Sequence, residues 1–186
     1  MKTKLLHFAA LLLVIAVVIA PMLPTGEGIM SADNPLYSQP ESSLIAVLEA
    51  DNFDDPVYVL RDGVVSYRIG RADGRPVGAV FVLSVRGWNP GIIFLVGVDD
   101  NGEISGFELI QDQETPGFAD FIRNDSFQGQ FVGKTAGMEF LTSGTPSGNQ
   151  VAAATGATVS SQAIFNGADA AVNYFVNNIL PSWSWS

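Results

Sequence analysis

The chain has 186 residues, 47% of them hydrophobic and 15% charged, with a formal net charge of −10, no cysteine and a single histidine, His7. Such a chain is long enough for one compact domain plus an appendage, and too apolar to stay disordered. Disulfides, thiolate metal sites, iron–sulfur clusters, cysteine nucleophiles and histidine-based triads are excluded, the acid excess excludes a basic footprint for nucleic acid, and any redox chemistry must come from a bound cofactor.

Leu5 to Leu23 is a nearly unbroken 19-residue apolar run, just sufficient to cross a hydrocarbon core. Lys2 and Lys4 precede it and no basic residue follows until Arg61, which places the N-terminus in the cytoplasm and the remainder outside. A cleaved signal peptide shares the basic start and apolar middle. The length of the run and the Ala20-Pro21 step favour retention. Residues 1–23 are therefore expected to be a membrane anchor in the cytoplasmic (inner) membrane. Residues 24–37, rich in Gly, Pro and small polar side chains, are expected to be a linker.

Ser38 begins a capping-box pattern with Glu41, which predicts a short helix through Leu44, Val47 and Leu48 to about Asp51. The period then changes. Val57 to Leu60, Val64 to Ile69, Val77 to Val85, Ile92 to Val98 and Ile104 to Ile110 read as strands, punctuated by Asp62-Gly63, Asp73-Gly74 and Asn101-Gly102. Helical character returns at Phe118 to Ile122. It returns strongly after Thr158, where Ile164, Ala168, Ala171, Val172, Phe175 and Ile179 form one stripe until Pro181. The expected fold class is α+β: a curved antiparallel sheet with helices packed on one side, spanning 38–180, preceded by one N-terminal transmembrane helix. Residues 181–186 form a tail, including Trp183 and Trp185, to which the pattern assigns no role.

Two segments stand out chemically. Thr155-Gly156-Ala157-Thr158-Val159-Ser160-Ser161 places small and hydroxylated residues at a helix start, where free N–H groups and the dipole favour an anion. Glu114-Thr115-Pro116-Gly117-Phe118 is a turn: Pro116 fixes φ, Gly117 admits a close backbone approach, and Phe118 offers an apolar face. Taken alone, Thr158 reads as a helix cap, the Glu114 segment as an ordinary turn and Trp88 as core or rim. Lys134 reads as a solvated charge or a phosphate partner. Asp99, Asp100 and Glu103 lack EF-hand spacing and read as a solvated turn.

Arg86-Gly87-Trp88-Asn89-Pro90-Gly91-Ile92, Val96-Gly97-Val98-Asp99, Glu114 to Phe118 and Thr155 to Ser161 occur here in the order seen in one family. With them the chain resembles the FMN-binding domain found in the G subunit of Rnf electron-transport complexes and in the related C subunit of the sodium-translocating NADH:quinone reductase. The resemblance runs from about Val57 to Asn178. It implies covalent FMN, esterified through its phosphate to Thr158. Thr155, Gly156, Ala157, Ser160 and Ser161 would then lie around the phosphate, and Glu114, Thr115, Gly117 and Phe118 near the flavin ring, with Trp88 as a second wall. It also implies an electron-relay component on the outer face of the membrane, coupling ferredoxin/NAD redox chemistry to ion transport. Its partners would be other membrane subunits of such a complex and, for maturation, a flavin transferase. The alternatives are a stand-alone extracytoplasmic FMN-binding electron carrier and a non-redox anchored binding module with a decayed flavin site. Two positions depart from the family pattern. Ala152 stands where an Asp precedes the modified Thr, and Asp112 stands where relatives often have His.

Overall fold

The computed structural model describes residues 34–117 and 120–183. The expected anchor at 1–23, most of the linker, Phe118 and the tail from residue 184 lie outside them. No helix among the described residues is long and apolar enough to cross a membrane. Residues 34–38 belong with the N-terminal unit and form a turn in which Tyr37 and Ser38 N–H donate to the Asn34 carbonyl. The second unit begins at Gln39.

The alternating segments form a six-stranded antiparallel sheet of β1 (Asn52–Phe53), β2 (Val57–Arg61), β3 (Val64–Ala72), β4 (Arg75–Arg86), β5 (Pro90–Asp99) and β6 (Ile104–Gln111). The order is β1-β3-β4-β5-β6, with β2 also pairing β3. All five expected strands are present, extended by the two-residue β1. β1 lies opposite Gly70 and Arg71, and β2 opposite Val64 to Tyr67, so the two pair with successive parts of β3. Pro56, which has no N–H to give a ladder, lies in the break between them. Asp62-Gly63 and Asp73-Gly74 have positive φ at both positions, the two-residue geometry that matches strand twist.

Helices cover both faces of this sheet, not one. On one face α1 (Glu41–Val47) packs against β5 and β6. It can do so because Gly97 and Gly106, paired across the two strands, leave room for the Val47 backbone. A Cβ at Gly97 would collide with the Val47 carbonyl oxygen, which also accepts a 2.6 Å hydrogen bond from Ser105 Oγ. The expected capping box is not made. Pro40, not Ser38, is the N-cap, and it makes no side-chain cap bond. Ser38 lies two residues upstream, while Pro40 presets the entering φ at −62°. The helix also stops at Val47 rather than near Asp51. Leu48 turns extended and buries its side chain beside Gly70 and Gly78.

On the other face lies α3 (Thr158–Tyr174), continued by a π turn at Phe175–Ile179 and a 3₁₀ turn at Leu180–Ser182. The predicted stripe is buried throughout, and with Phe81, Leu83, Phe94 and Val96 it makes the main core. β4 and β5 are consequently covered on both faces, which is why they read as continuous apolar runs rather than alternating ones. Of the helical segment expected at Phe118 to Ile122, the first two residues lie outside the described ones and the rest form no helix. Residues 120–123 are turns, and α2 (Asp125–Gln128) starts only after Asn124, whose side chain accepts from Ser126 N–H. A short parallel pair, β7 (Glu139–Leu141) and β8 (Gln150–Ala152), delivers the chain to the start of α3.

Candidate functional site

The start of α3, the turn between β4 and β5 and the segment after β6 meet at one end of the sheet. Their junction is Gly87. A Cβ there would overlap Glu114 Oε1 and come within 2.7 Å of Ile92 Cδ1 and 2.8 Å of Ser160 Oγ. Glu114 Oε1 accepts from Asn89 N–H at 3.1 Å, Ser160 Oγ from Trp88 N–H at 3.4 Å, and the Gln113 carbonyl from Asn89 Nδ2 at 3.0 Å. These bonds knit three segments far apart in sequence and leave a cleft of about 460 Å³, lined by Trp88, Glu114, Thr115 and residues 156–160. That size suits a cofactor-sized molecule.

The local sequence explains the helix entrance. Ala157 N–H donates to the Ala154 carbonyl at 3.0 Å, closing a turn whose third residue, Gly156, has φ +77°. Only glycine enters that conformation without penalty. Thr155 is exposed on the turn. Thr158 is the first residue of the helix, not its cap; Ala157 is the N-cap and supplies no side-chain bond. The Thr158 side chain is exposed at the cleft. Among the described residues the N–H groups of Thr158, Val159 and Ser160 donate to no protein acceptor. Orphan donors of this kind, at the positive end of a 17-residue helix, favour an anion.

Of the residues singled out in the sequence, Trp88, Glu114, Thr115, Gly156, Ala157, Thr158 and Ser160 gather on this cleft. Thr155 and Ser161 do not line it. Ser161 is fully buried and its Oγ accepts from Ala154 N–H, so its hydroxyl holds the turn from beneath. Gly117 is exposed with φ +87°, and a Cβ there would meet nothing within 4 Å. Its glycine is required by the turn rather than by a close neighbour. Phe118 is not among the described residues. Trp88 is 71% exposed, an uncovered wall rather than a core residue. Lys134 donates to the Gly148 carbonyl instead of facing the cleft, and the Asp99 carboxylate accepts from Asn101 and Glu103 N–H as an ordinary turn. Asn89 and Val159 also belong to the site and were not expected there. Both stand in the quoted motifs, but nothing in their residue type marked them.

The two positions that depart from the family pattern are both engaged. Asp112 Oδ1 accepts from Glu114 N–H at 3.0 Å and its carboxylate pairs with Arg123. Ala152 ends β8, 6% exposed, with its N–H and carbonyl both engaged by the Gln130 amide.

A mixed fold of this kind with a helix-entrance anion site beside an open aromatic wall has the features of a phosphate-bearing-cofactor domain. Residues 87–173 match the FMN-binding domain family, and the cofactor this match indicates is FMN. The chain is 37% identical over 127 residues to the G subunit of an ion-translocating oxidoreductase complex from Methanosarcina acetivorans, covering 68% of this chain and 63% of that protein, somewhat under two thirds of its length. It is 26% identical to the G subunit of a proton-translocating ferredoxin:NAD(+) oxidoreductase complex from Clostridium ljungdahlii, covering 77% and 75%. The crystal structure of Shewanella oneidensis NqrC has the same fold, with a TM-score of 0.51 at 18% identity over 68% of this chain and 66% of that one.

The residues fit the group. The three N–H groups without a protein acceptor and the exposed Thr158 hydroxyl at the start of α3 would suit its phosphate. Trp88 and Val159 give the same cleft apolar lining that would suit its ring system.

Proposed function

We propose that the protein is a membrane-anchored electron carrier, working as the FMN-bearing subunit of an ion-translocating ferredoxin/NAD oxidoreductase complex. Support comes from the relatives in such complexes, the family match and the cleft. The observation that carries the reading is the entrance of α3, where an exposed Thr158 hydroxyl stands beside N–H groups with no protein acceptor. Bound FMN supplies the capacity to take up and release one or two electrons, which no side chain of this chain can do. The protein's part is to hold it. The helix entrance binds the phosphate, a phosphoester to Thr158 keeps the cofactor from leaving between partners, and the ring end stays open for electron transfer. The reading also includes an anchor at 1–23, a domain on the extracytoplasmic side, attachment by a flavin transferase, and membrane subunits as neighbours.

Mass spectrometry of the Thr158 peptide from native membranes should show an adduct of FMN less one water. Thr158→Val keeps the β-branched shape and removes the oxygen, so it should abolish the adduct while the melting temperature changes little. Thr155→Val should leave the adduct, since that side chain lies outside the cleft. An unmodified Thr158 peptide, with FMN released on denaturation, would sink the covalent claim alone. A purified full-length protein without flavin absorption would sink the carrier itself and favour a binding module.

A further inference from the structure

We infer that Arg123 is a positioning residue for the cleft, a clamp that pins both ends of the Glu114–Gly117 wall; this rests on reading the cleft as the seat of FMN. Arg123 Nε and Nη2 grip the two oxygens of Asp112, and Nη1 grips Asp120 Oδ1. Each carboxylate holds one end of the wall. Asp112 Oδ1 accepts from Glu114 N–H at 3.0 Å, and Asp120 Oδ2 accepts from Gly117 N–H at 3.1 Å. One guanidinium therefore fixes the first and last amides of a four-residue segment, of which Glu114 and Thr115 line the cleft.

The pair with Asp112 is not an ordinary surface ion pair. The Asp112 side chain is only 7% exposed, and the grip is bidentate. Lysine, a point charge, cannot reproduce a fork across two carboxylates. The clamp is itself anchored to the sheet. Gln128 Nε2 donates to the Arg123 carbonyl at 3.0 Å, and Gln128 Oε1 accepts from Leu109 N–H of β6. The wall's position is thus referred to β6 through Gln128 and Arg123, not only through its own backbone.

The test uses the full chain in detergent, first without flavin. Amide hydrogen exchange should accelerate at least tenfold at both Glu114 and Gly117 in Arg123→Gln, while Ile164 and Ala168 in α3 stay protected. Asp120→Ala, at an exposed side chain, should release Gly117 alone. Arg123→Lys should keep partial protection at one end. The same proteins loaded with FMN should show an altered visible circular dichroism band and a shifted midpoint potential in Arg123→Gln, partly restored in Arg123→Lys. Unchanged exchange at both amides overturns the clamp. Faster exchange with an unmoved flavin band and potential overturns its role toward the ring. A wild type that takes up no FMN defeats the reading of the cleft, while the exchange result still decides whether the clamp exists.

Discussion

Gly87 shows how one missing Cβ shapes this site. It is the point where the β4–β5 turn, Glu114 and Ser160 converge, and any side chain would enter space those groups occupy. Gly87→Ala should force the Glu114 carboxylate away from Asn89 N–H and cost about 1–3 kcal/mol, the usual range for overpacking. Urea denaturation would measure that loss, and flavin content per protein would fall with it. A fully stable variant with full flavin content would show that the three segments are held independently of this contact. Ala152 teaches the opposite lesson. Ala152→Asp would restore the family pattern, but the side chain is interior in this fold. An added carboxylate there must find a partner or suffer a desolvation cost of several kcal/mol.

Two carboxylates at the level of elements carry pH dependences of opposite sign. Asp54 lies in the break between β1 and β2 and receives hydrogen bonds from Arg71 Nε and Nη2 of β3 at 2.8–3.1 Å. These bonds hold its pKa below the ordinary 3.8. Its stabilising effect is fully present above 3.8 and is lost as pH falls through the lowered folded pKa. Asp54→Asn should therefore destabilise the domain at about pH 7, with the cost shrinking as pH falls through the lowered folded pKa. Asp169 of α3 has a buried Oδ1 without a hydrogen-bond partner among the described residues. Burial raises its pKa above 3.8, opposed mainly by the Met138 amide and the Asn173 side chain. Its charge therefore opposes folding above the folded pKa, and acid relieves that. Asp169→Asn should stabilise at about pH 7, by up to about 1 kcal/mol, with the gain gone at about pH 3. Thermal melts from about pH 2 to about pH 7 would read both; equal effects at both ends of the range would refute the titration argument.

For the whole molecule, the testable expectation is topological. Protease added to spheroplasts should digest the domain from residue 39 onward and spare a fragment containing the anchor. A mature N-terminus downstream of Leu23 would contradict retention of the anchor. A basic start, an apolar run and an acidic remainder support this arrangement.

Much of the fold was legible in the chain because local physics dominates it. Strand period, Asp-Gly turns and the α3 stripe each need only neighbours in sequence. The FMN family was legible because four short motifs keep their order. The rest depended on contacts between distant segments. The glycines of β5 and β6 that admit α1 on the second face look, in sequence, like weak strand residues; only the approach of Val47 explains them. Ser38 offered a cap by pattern, yet Pro40 took the position because it already holds the entering φ. Ser160 and Ser161 are adjacent, chemically alike and both buried, but helix rotation sets one at the cleft lining, accepting from Trp88 N–H, and the other beneath the turn, accepting from Ala154 N–H. Arg123 carried no motif at all, since its meaning lies in two carboxylates that the turn after β6 brings within reach. Sequence by itself determined the strands, the long helix and the cofactor class, which are encoded in runs of neighbours. Only the tertiary structure decided which hydroxyls face the cleft and what holds its wall, because those depend on where the folded chain returns upon itself.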